Sequence, residues 1–386
     1  MRVAMDARAL IAGGGGLRRY TAELLRGLLA LDVSVSAWIA GWHIDGLRDA
    51  LVAELAALGV SPPVGVTRAP GKWLYERPGL WLWAHWPRWA PLPRLLPADL
   101  DLFHAIHWPL PLDRRRPLVL TIHDLIALRH PDWVPPNVLA VHRAIAALAP
   151  RAAQVIVDSE ATRQDVLELS RVAPERVTVV PLGVRPEVFG REVSAGERAA
   201  VRQRHQLHRP YFLTVGSIEP RRNIAAIIEA YDLFRERGGA DWDLVIVGSV
   251  VGHVPGFEQV AGRSRPGTVS LIEHVPDGDL TVLMQDASGF VFASLAEGFG
   301  LPVLEAFTAG CPVIASNTTS LPEVAGQAAL LVDPADAEAI AAAMLRLVGE
   351  PELGDELRHR GRERAAEFTW ERTARQTLEV YRGALA

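Results

Sequence analysis

The 386-residue chain lacks three features that are common in other protein classes. Cys311 is its single cysteine, so no internal disulfide can form, and we expect a reducing compartment. Lys72 is the single lysine among forty basic side chains, and the formal net charge is −5, so no basic face for nucleic acid is indicated. Every hydrophobic run is interrupted before the roughly eighteen residues that a membrane-spanning helix needs.

The amino terminus also lacks the pattern of an export signal. Met1–Leu10 leads directly into a strand-like run, without a charged stretch followed by an apolar one. We therefore expect a cytoplasmic protein, with any membrane contact being peripheral at the inner face.

What the chain does have is enough apolar residues, 49%, for two domain cores. Short β-branched runs alternate with longer helical segments, which predicts an α/β fold with two parallel sheets. We predict one domain over residues 1–190 and a second over 191–369, with the change inside the polar segment Pro186–Arg209.

The predicted elements follow from apolar periodicity. Helices are predicted over Leu17–Leu31 and Asn137–Leu148, and another begins near Trp370. The predicted strands are Arg2–Asp6, Val33–Ala40, Asp101–Ala105, Leu118–Ile122 and Gln154–Asp158 in the first domain, and Tyr211–Gly216, Asp243–Gly248, Val269–Val275, Gly289–Ala293, Pro312–Ser316 and Ala329–Val332 in the second. Ligands of such sheets bind beyond the carboxyl ends of the strands, so the residues that follow each strand are the candidates for function.

A run of four glycines, Gly13–Gly16, follows the first strand and precedes a helix. Without side chains it lets a phosphate or sugar approach the backbone, and the helix N-terminus that follows favours an anion. The spacing matches neither the dinucleotide fingerprint nor a Walker loop. A flexible loop is therefore the alternative reading.

His123-Asp124 follows the strand Leu118–Ile122. An imidazole there is suited to bonding a sugar hydroxyl and to proton transfer near neutral pH. A structural capping role is the main alternative. A metal site with His104 and His107 is a weaker one, because the spacing is not that of a zinc motif.

Gly216–Asn223 follows the first strand of the second domain and contains two adjacent arginines, Arg221 and Arg222. Guanidinium groups form bidentate, charge-assisted bonds to phosphate, and Asn223 is a residue type that caps the next helix. We interpret the segment as a diphosphate clamp, with a solvated arginine pair as the alternative.

Glu297–Glu305 gives the strongest local signal. Gly298 and Gly300 free the backbone to hold an anion at the N-terminus of a helix that Pro302 begins. Glu305 lies about one turn into that helix, where a carboxylate can accept both ribose hydroxyls. Glu297 stays available for the sugar.

These segments resemble the retaining glycosyltransferases called family four, or glycosyl transferases group 1. Glu297 and Glu305 match the family's two glutamates with seven residues between them, and Glu219–Asn223 matches its E-P-R-K-N turn. The similarity extends to H-D-L at His123–Leu125, P-L-G-V at Pro181–Val184 and F-T-W-E-R-T at Phe368–Thr373. Within the family, the sequence is most similar to bacterial mannosyl- and deoxyhexosyltransferases of surface polysaccharide synthesis.

The resemblance implies the GT-B fold, in which two Rossmann-like domains face each other across a cleft. The last helix, 370–386, would cross back onto the first, acceptor-side domain. No cofactor and no metal are implied. The nucleotide diphosphate sugar is a substrate, with GDP-mannose or a GDP-deoxyhexose favoured.

The resemblance also assigns roles to individual residues. Glu297 and His123 would be catalytic, through contact with the transferred sugar. The implied donor-binding residues are Arg221, Arg222, Ser217, Val275, Gly298, Phe299, Gly300, Leu301, Glu305, Gly15 and Gly16. The implied acceptor contacts are Arg19, Tyr20, Trp81 and Trp83.

Two positions depart from the family pattern. Arg222 stands where the family has lysine, and the residues before Arg19-Tyr20 are Gly-Leu-Arg instead of Gly-Ile-Gly. Asp-x-Asp pairs at Asp99/Asp101, Asp241/Asp243 and Asp277/Asp279 resemble the metal-binding pair of another transferase fold. We interpret Asp277-Gly-Asp279 as the start of a helix that continues over Leu280–Asp286. We expect no metal dependence, because the two arginines and a helix dipole already supply the positive charge that a leaving diphosphate needs.

The segment Lys72–Pro97 is dense in tryptophan and arginine. Such a composition suits a membrane headgroup zone or stacking on a sugar acceptor. Packing beneath a long loop and a dimer contact are the alternatives. The tryptophans are Trp73, Trp81, Trp83, Trp86 and Trp89.

We therefore expect a retaining hexosyltransferase that acts on a glycan or lipid-linked acceptor. A nucleotide-sugar 2-epimerase on the same fold is one alternative, and it would form product without an acceptor. A non-catalytic sugar-nucleotide-binding subunit is another, and it would bind donor without turnover.

Overall fold

The structure is a computed structural model that describes residues 1–12, 15–41, 46–68, 99–106, 116–251 and 268–386. The chain forms two compact units. The first comprises Met1–Gly183 and Trp370–Ala386, and the second comprises Val184–Thr369. Among these residues, no helix is both long and apolar enough to cross a membrane.

The first unit is built on a parallel sheet of seven strands in the order β3-β2-β1-β4-β5-β6-β7. β1 pairs with β2 from Arg2 opposite Ser34, and with β4 from Val3 opposite Leu102. The strands are β1 (Arg2–Asp6), β2 (Ser34–Gly41), β3 (Val64–Arg68), β4 (Leu102–Ile106), β5 (Leu118–Ile122), β6 (Gln154–Val157) and β7 (Val177–Val179). Its described α-helices are α1 (Arg8–Ala12), α2 (Gly15–Ala30), α3 (Leu47–Ala57), α4 (Ile126–Arg129), α5 (Pro136–Leu148), α6 (Glu160–Ser170) and the last helix, Trp370–Leu385.

The second unit is built on a parallel sheet of six strands in the order β10-β9-β8-β11-β12-β13. The strands are β8 (Tyr211–Val215), β9 (Asp243–Val247), β10 (Val269–Ile272), β11 (Gly289–Phe292), β12 (Val313–Ser316) and β13 (Ala329–Val332). Its described α-helices are α7 (Pro186–Phe189), α8 (Ala195–Arg204), α9 (Ile224–Glu236), α10 (Asp277–Asp286), α11 (Leu301–Ala309), α12 (Leu321–Ala325), α13 (Ala337–Gly349) and α14 (Pro351–Ala366). The last helix of the chain is α15.

The central strands of both sheets are buried along their whole length, as expected for a parallel sheet. All five residues of β4 and all four of β11 are buried. Aromatic pairs such as Phe212 and Phe234, with ring centroids 5.2 Å apart, fill the space between sheet and helix in the second unit. Each unit thus has its own core.

The segment Pro186–Arg209 differs from the polar connection that its composition suggests. It forms α7 and α8, which belong to the second unit, and the contacts divide the chain at 183/184 instead of 190/191. Phe189 is fully buried and Val201 is 2% exposed, so two apolar side chains anchor an otherwise polar stretch.

α15 is part of the first unit. Tyr381 is fully buried there, and the Thr373 hydroxyl donates to the Pro181 carbonyl at 2.8 Å. Gly27 of α2 makes room for the helix, since a Cβ at that position would lie 2.7 Å from Cβ of Ala374.

Candidate active site

Two loops at the carboxyl ends of β8 and β11 are tied together in the second unit. The Leu295 amide donates to the Arg221 carbonyl at 2.8 Å. The Asn223 side chain donates to the carbonyls of Ala293 at 3.0 Å and Pro334 at 2.7 Å. Asn223 is the N-cap residue of α9, as predicted, but its side chain links the loops and makes no capping bond.

The tied loops bring two guanidinium groups onto one carboxylate. Arg221 Nη1 donates to Glu297 Oε2 at 2.7 Å, and Arg222 Nη1 pairs with Glu297 Oε1. Arg221 also contacts Glu219 at 2.8 Å. The Glu297 side chain is only 6% exposed, so these pairs lie where water screens them weakly. The sequence predicted all three residues for the site, and the structure brings them together.

Glycines make room for the Arg222 side chain. Gly216 has φ 143°, and a Cβ there would lie 3.1 Å from Arg222 Nε. On its other side, the Arg222 guanidinium carbon lies 4.9 Å from the centre of the Phe292 ring. Arg222 is thus fixed between backbone and ring, which suits a planar guanidinium better than a lysine.

α11 begins beside this cluster. Gly300 precedes it with φ 121°, a backbone conformation that favours glycine, and Pro302 lies in its first turn. The Phe299 ring packs edge-on against Phe368 at 5.9 Å and thereby anchors the loop. Glu305 lies in the second turn and is 4% exposed. The first amides of a helix have no intrahelical partner, so this terminus can bind an anion.

The loop after β12 holds the backbone of Glu297, a contact that the sequence did not reveal. The Glu297 amide donates to Thr319 Oγ1 at 3.1 Å. The Ser320 hydroxyl oxygen lies 2.9 Å from the Glu297 carbonyl oxygen and 2.7 Å from that of Phe299, so its single proton is shared between the two acceptors. Their position after a strand is the only sequence signal that these residues carry.

In the first unit, His123 follows β5 and donates from Nδ1 to Asp158 Oδ2 at 2.6 Å. The Asp158 side chain is 2% exposed. Burial disfavours the charged imidazole, but the carboxylates of Asp158 and Asp124 outweigh it and raise the pKa of His123. Asp158 is a site residue that sequence reasoning missed, although it directly follows β6.

A chain of buried polar side chains lies beneath His123. The hydroxyls of Tyr20 and Thr121 are 3.0 Å apart, and His104 lies 2.7 Å from both Thr121 and Tyr381. Burial, with a smaller contribution from His123, lowers the pKa of His104 to about 3. His104 is therefore neutral, and both of its ring nitrogens lie within hydrogen-bond distance of buried hydroxyls.

Tyr20 differs from its predicted role as an acceptor contact. Its side chain is 1% exposed, and its ring meets the His123 ring edge-on at 4.6 Å. The structure thus assigns Tyr20 to the packing that supports His123. Arg19, the neighbouring predicted acceptor contact, is partly exposed on α2.

The remaining predicted residues fall into two groups. Gly15 and Gly16 are exposed and begin α2, two residues earlier than predicted, while Ser217 is exposed after β8 and Val275 is buried after β10. Gly13, Gly14, His107 and the tryptophan-rich segment with Trp81 and Trp83 lie outside the described residues.

Each of the three Asp-x-Asp pairs contains at least one aspartate that forms an ion pair within the described parts of the chain. Asp99 and Asp101 contact Arg2, at 3.2 Å and 3.8 Å. Asp243 lies 3.9 Å from Arg209, and Asp279 pairs with Arg204 and with His205. Over the described residues, no group of three or more His, Cys, Asp or Glu side chains is arranged to hold a metal ion.

Comparison with known proteins identifies the family. Residues 14–188 match the model of Glycosyltransferase Family 4, and residues 197–367 match that of Glycosyl transferases group 1. The chain is 32% identical to the O-antigen chain mannosyltransferase B of Escherichia coli over 284 residues, which cover 73% of this chain and 74% of that protein. The chain belongs to glycosyltransferase family 4.

A second relative of this transferase is longer. The serotype-specific mannosyltransferase WbdA of Escherichia coli is 30% identical over 269 residues, 68% of this chain but 33% of that protein. The transferase therefore spans about a third of the length of WbdA.

Solved structures show the same fold. The crystal structure of Anabaena Alr3699/HepE in complex with UDP and glucose superimposes with a TM-score of 0.72 over 99% of each chain, at 17% identity. The predicted GT-B fold, with two Rossmann-like α/β units, is confirmed.

Proposed function

We propose that this transferase moves mannose, or a deoxyhexose, from a GDP-sugar to a glycan or lipid-linked acceptor, with retention of anomeric configuration and without a metal ion. The choice of mannose is supported by the similarity to the O-antigen mannosyltransferase of Escherichia coli. The absence of a metal requirement is supported by the cationic groups of the second unit.

One observation carries the proposal: Arg221 and Arg222 converge on Glu297 beside the N-terminus of α11. Two fixed guanidinium groups and a helix N-terminus form a site for a diphosphate. A guanidinium carries five N–H bonds, so each arginine can donate to a phosphate oxygen as well as to a carboxylate. The charge that builds up on a leaving diphosphate is stabilised by these groups without rearrangement.

The acidic residues contact the rest of the donor. Glu305, in the second turn of α11, accepts the ribose hydroxyls, and Glu297 accepts hydroxyls of the transferred sugar. In the first unit, the raised pKa of His123 makes its imidazole a good donor to a sugar hydroxyl near neutral pH. These contacts hold the sugar in the geometry of the reaction, so that positioning supplies part of the rate enhancement.

Retention follows from attack on the face that the diphosphate leaves. The bond between the anomeric carbon and the diphosphate oxygen lengthens first and leaves an oxocarbenium-like sugar. The acceptor oxygen then bonds to the anomeric carbon on the same face, and its proton passes to the departing phosphate oxygen. No covalent bond to a side chain is formed.

The proposal is tested by the melting temperature of the protein with GDP, UDP, ADP or dTDP, each with and without EDTA. A ligand that binds the folded state alone raises the melting temperature. We expect GDP to raise it equally with and without EDTA, and Glu305→Ala to abolish most of the shift. No shift with any nucleotide, or a shift that EDTA removes, would contradict the proposal.

A further inference from the structure

Thr319 has an unusual backbone conformation for its residue type. Its φ is 53°, in the left-handed region. Among the described residues that are not glycine, four others have a positive φ, and Thr319 alone of the five is β-branched. A β-branched side chain strains this conformation most, since its Cβ substituents crowd the backbone, whereas asparagine and aspartate tolerate it.

The strained residue lies against the candidate donor site. Thr319 belongs to the loop between β12 and α12, at the carboxyl end of the sheet. Its hydroxyl oxygen accepts the Glu297 amide at 3.1 Å, and the next residue, Ser320, holds the carbonyls of Glu297 and Phe299. Two consecutive residues thus fix both polar groups of the Glu297 backbone.

These hydrogen bonds to the Glu297 backbone determine where its carboxylate lies. The carboxylate itself is bound by Arg221 and Arg222. Glycine would fit the left-handed backbone of Thr319 without strain, but it carries no hydroxyl to accept the Glu297 amide. At position 319, threonine is therefore less favourable than glycine for stability, but it supplies the hydroxyl that binds the Glu297 amide. Backbone strain of this kind is typical of functional positions.

We propose that Thr319 is a positioning residue for sugar transfer: its hydroxyl, held in place by a strained backbone, orients Glu297 toward the transferred sugar. This inference rests on the proposed function of Glu297. It separates two properties that usually change together, because relief of the strain stabilises the protein while loss of the hydroxyl slows the reaction.

Four variants separate the hydroxyl from the strain. Thr319→Val keeps the β-branch and the strain but removes the hydroxyl, and Thr319→Ser keeps the hydroxyl with less strain. Thr319→Gly removes both. Gln206→Gly is the matched control, since Gln206 is exposed in the same unit with φ 55° and is not a predicted site residue.

Three quantities are measured for each variant: the melting temperature, the dissociation constant for GDP and the kcat for release of GDP from GDP-mannose. We expect Val and Gly at 319 to lower kcat about tenfold, the effect of roughly one lost hydrogen bond. We expect Ser to keep kcat within about twofold, and all variants to bind GDP within about twofold of the wild type. The melting temperature should rise by about 2 °C in Gln206→Gly, which only loses strain, and fall in Thr319→Val, which only loses the hydroxyl. Thr319→Gly should lie between these two, because relief of the strain is offset by loss of the bond to the Glu297 amide.

The outcomes distinguish the positioning role of Thr319 from the proposed transferase function on which it rests. A wild type that neither binds GDP nor turns over GDP-mannose would contradict the proposed function. If the wild type is active and Thr319→Val keeps its kcat, the positioning role alone is wrong. A drop of kcat in Thr319→Ser equal to that in Thr319→Val would also overturn it, because the retained hydroxyl should rescue the reaction.

Discussion

At the scale of single residues, Glu297 and the donor diphosphate compete for the same two arginines. Arg221 and Arg222 already bind its carboxylate, and Glu219 adds a second negative charge at 2.8 Å from Arg221. The two guanidinium charges are therefore already paired with two carboxylate charges when no nucleotide is bound. A diphosphate must share the guanidinium groups with Glu297, so the carboxylate weakens nucleotide binding even where it assists the transfer.

We accordingly expect Glu297→Gln to affect binding and turnover in opposite directions. Removal of the charge frees the arginines, so the affinity for GDP should rise about three- to tenfold. Loss of the contact with the sugar should lower kcat for GDP-mannose about a hundredfold. Titration calorimetry and initial rates measure the two effects.

Glu338→Gln is the control, because Glu338 pairs with Arg237 on the exposed surface of the same unit. It should leave both quantities unchanged. A Glu297→Gln protein that binds GDP more weakly than the wild type would show that the carboxylate does not compete with phosphate.

Asp158 gives His123 its charge. Replacement by asparagine removes the main group that raises the pKa of His123, and burial then lowers it instead. We expect an NMR titration of the His123 ring resonances to give a lower midpoint pH in Asp158→Asn than in the wild type. Turnover at about pH 7 should fall about tenfold, since the imidazole no longer carries its proton.

The same substitution should change how stability depends on pH. In the wild type the folded pKa of His123 is above the unfolded value of 6.5, so its contribution to stability is full below 6.5 and is lost as pH rises through the folded pKa. The free energy of unfolding is measured in urea at about pH 6 and about pH 8. The decrease from pH 6 to pH 8 that His123 causes in the wild type should be missing in Asp158→Asn. His359→Gln, at an exposed histidine, should keep the wild-type dependence. A wild-type profile for Asp158→Asn would contradict the role of Asp158.

The sequence predicted the residues whose chemistry follows directly from a strand end, namely Arg221, Arg222, Glu297 and His123. It did not predict Asp158 or Thr319. The partner of Asp158 lies 35 positions away in the chain, and the value of Thr319 depends on a backbone angle that no local pattern shows. Tyr20 was placed with the acceptor because its burial depends on long-range packing.

At the scale of elements, strand positions were predicted well because buried parallel strands are continuous apolar runs. Leu118–Ile122 and Ala329–Val332 match the structure residue for residue. β3 was missed: its run Val64–Arg68 contains Gly65, which weakens the strand signal. That glycine is needed, since a Cβ there would lie 2.8 Å from the Trp38 ring.

The start of α11 depends on Gly300. Its φ is 121°, and a Cβ would lie 2.6 Å from Leu321 Cδ2, so alanine strains the backbone and also displaces the leucine. We expect Gly300→Ala to lower the free energy of unfolding by about 2 kcal/mol in urea denaturation. GDP affinity should fall as well, because the amides of the loop shift.

Gly349→Ala provides the contrast. Gly349 ends α13, and nothing lies within 4 Å of an added Cβ. Alanine should raise the free energy of unfolding by about 0.5 kcal/mol there without changing GDP affinity. Equal stabilities for the two variants would show that Gly300 is not conformationally required.

At the scale of the whole molecule, the first unit is completed by the end of the chain. α15 supplies the fully buried Tyr381 and Ala374, and Trp370, which is 8% exposed. Tyr381 also lies 2.7 Å from Nδ1 of the buried His104. The first unit therefore cannot form its core until the second has been synthesised.

We expect truncation after Thr369 to unfold the first unit and spare the second. The lost helix takes two large aromatic side chains from the core, at about 3 kcal/mol or more each, a large part of a typical domain's stability. Limited proteolysis should then leave one resistant fragment close to Val184–Thr369. Arg375→Ala, at an exposed α15 position, should keep the wild-type digest. Protection of both units after truncation would contradict this account.

The central claim is that the Arg221 and Arg222 clamp supports sugar transfer from a nucleotide donor without a metal. The most direct measurement is proton NMR of the purified protein with GDP-mannose and octyl α-mannoside in excess EDTA. We predict a new α-linked disaccharide in amounts equal to the GDP released, and an initial rate of its formation about a hundredfold lower with Glu297→Gln. A β-linked product would contradict retention, product that EDTA abolishes would contradict the metal-free clamp, and no product from GDP-mannose, GDP-fucose or UDP-glucose would contradict the transferase assignment.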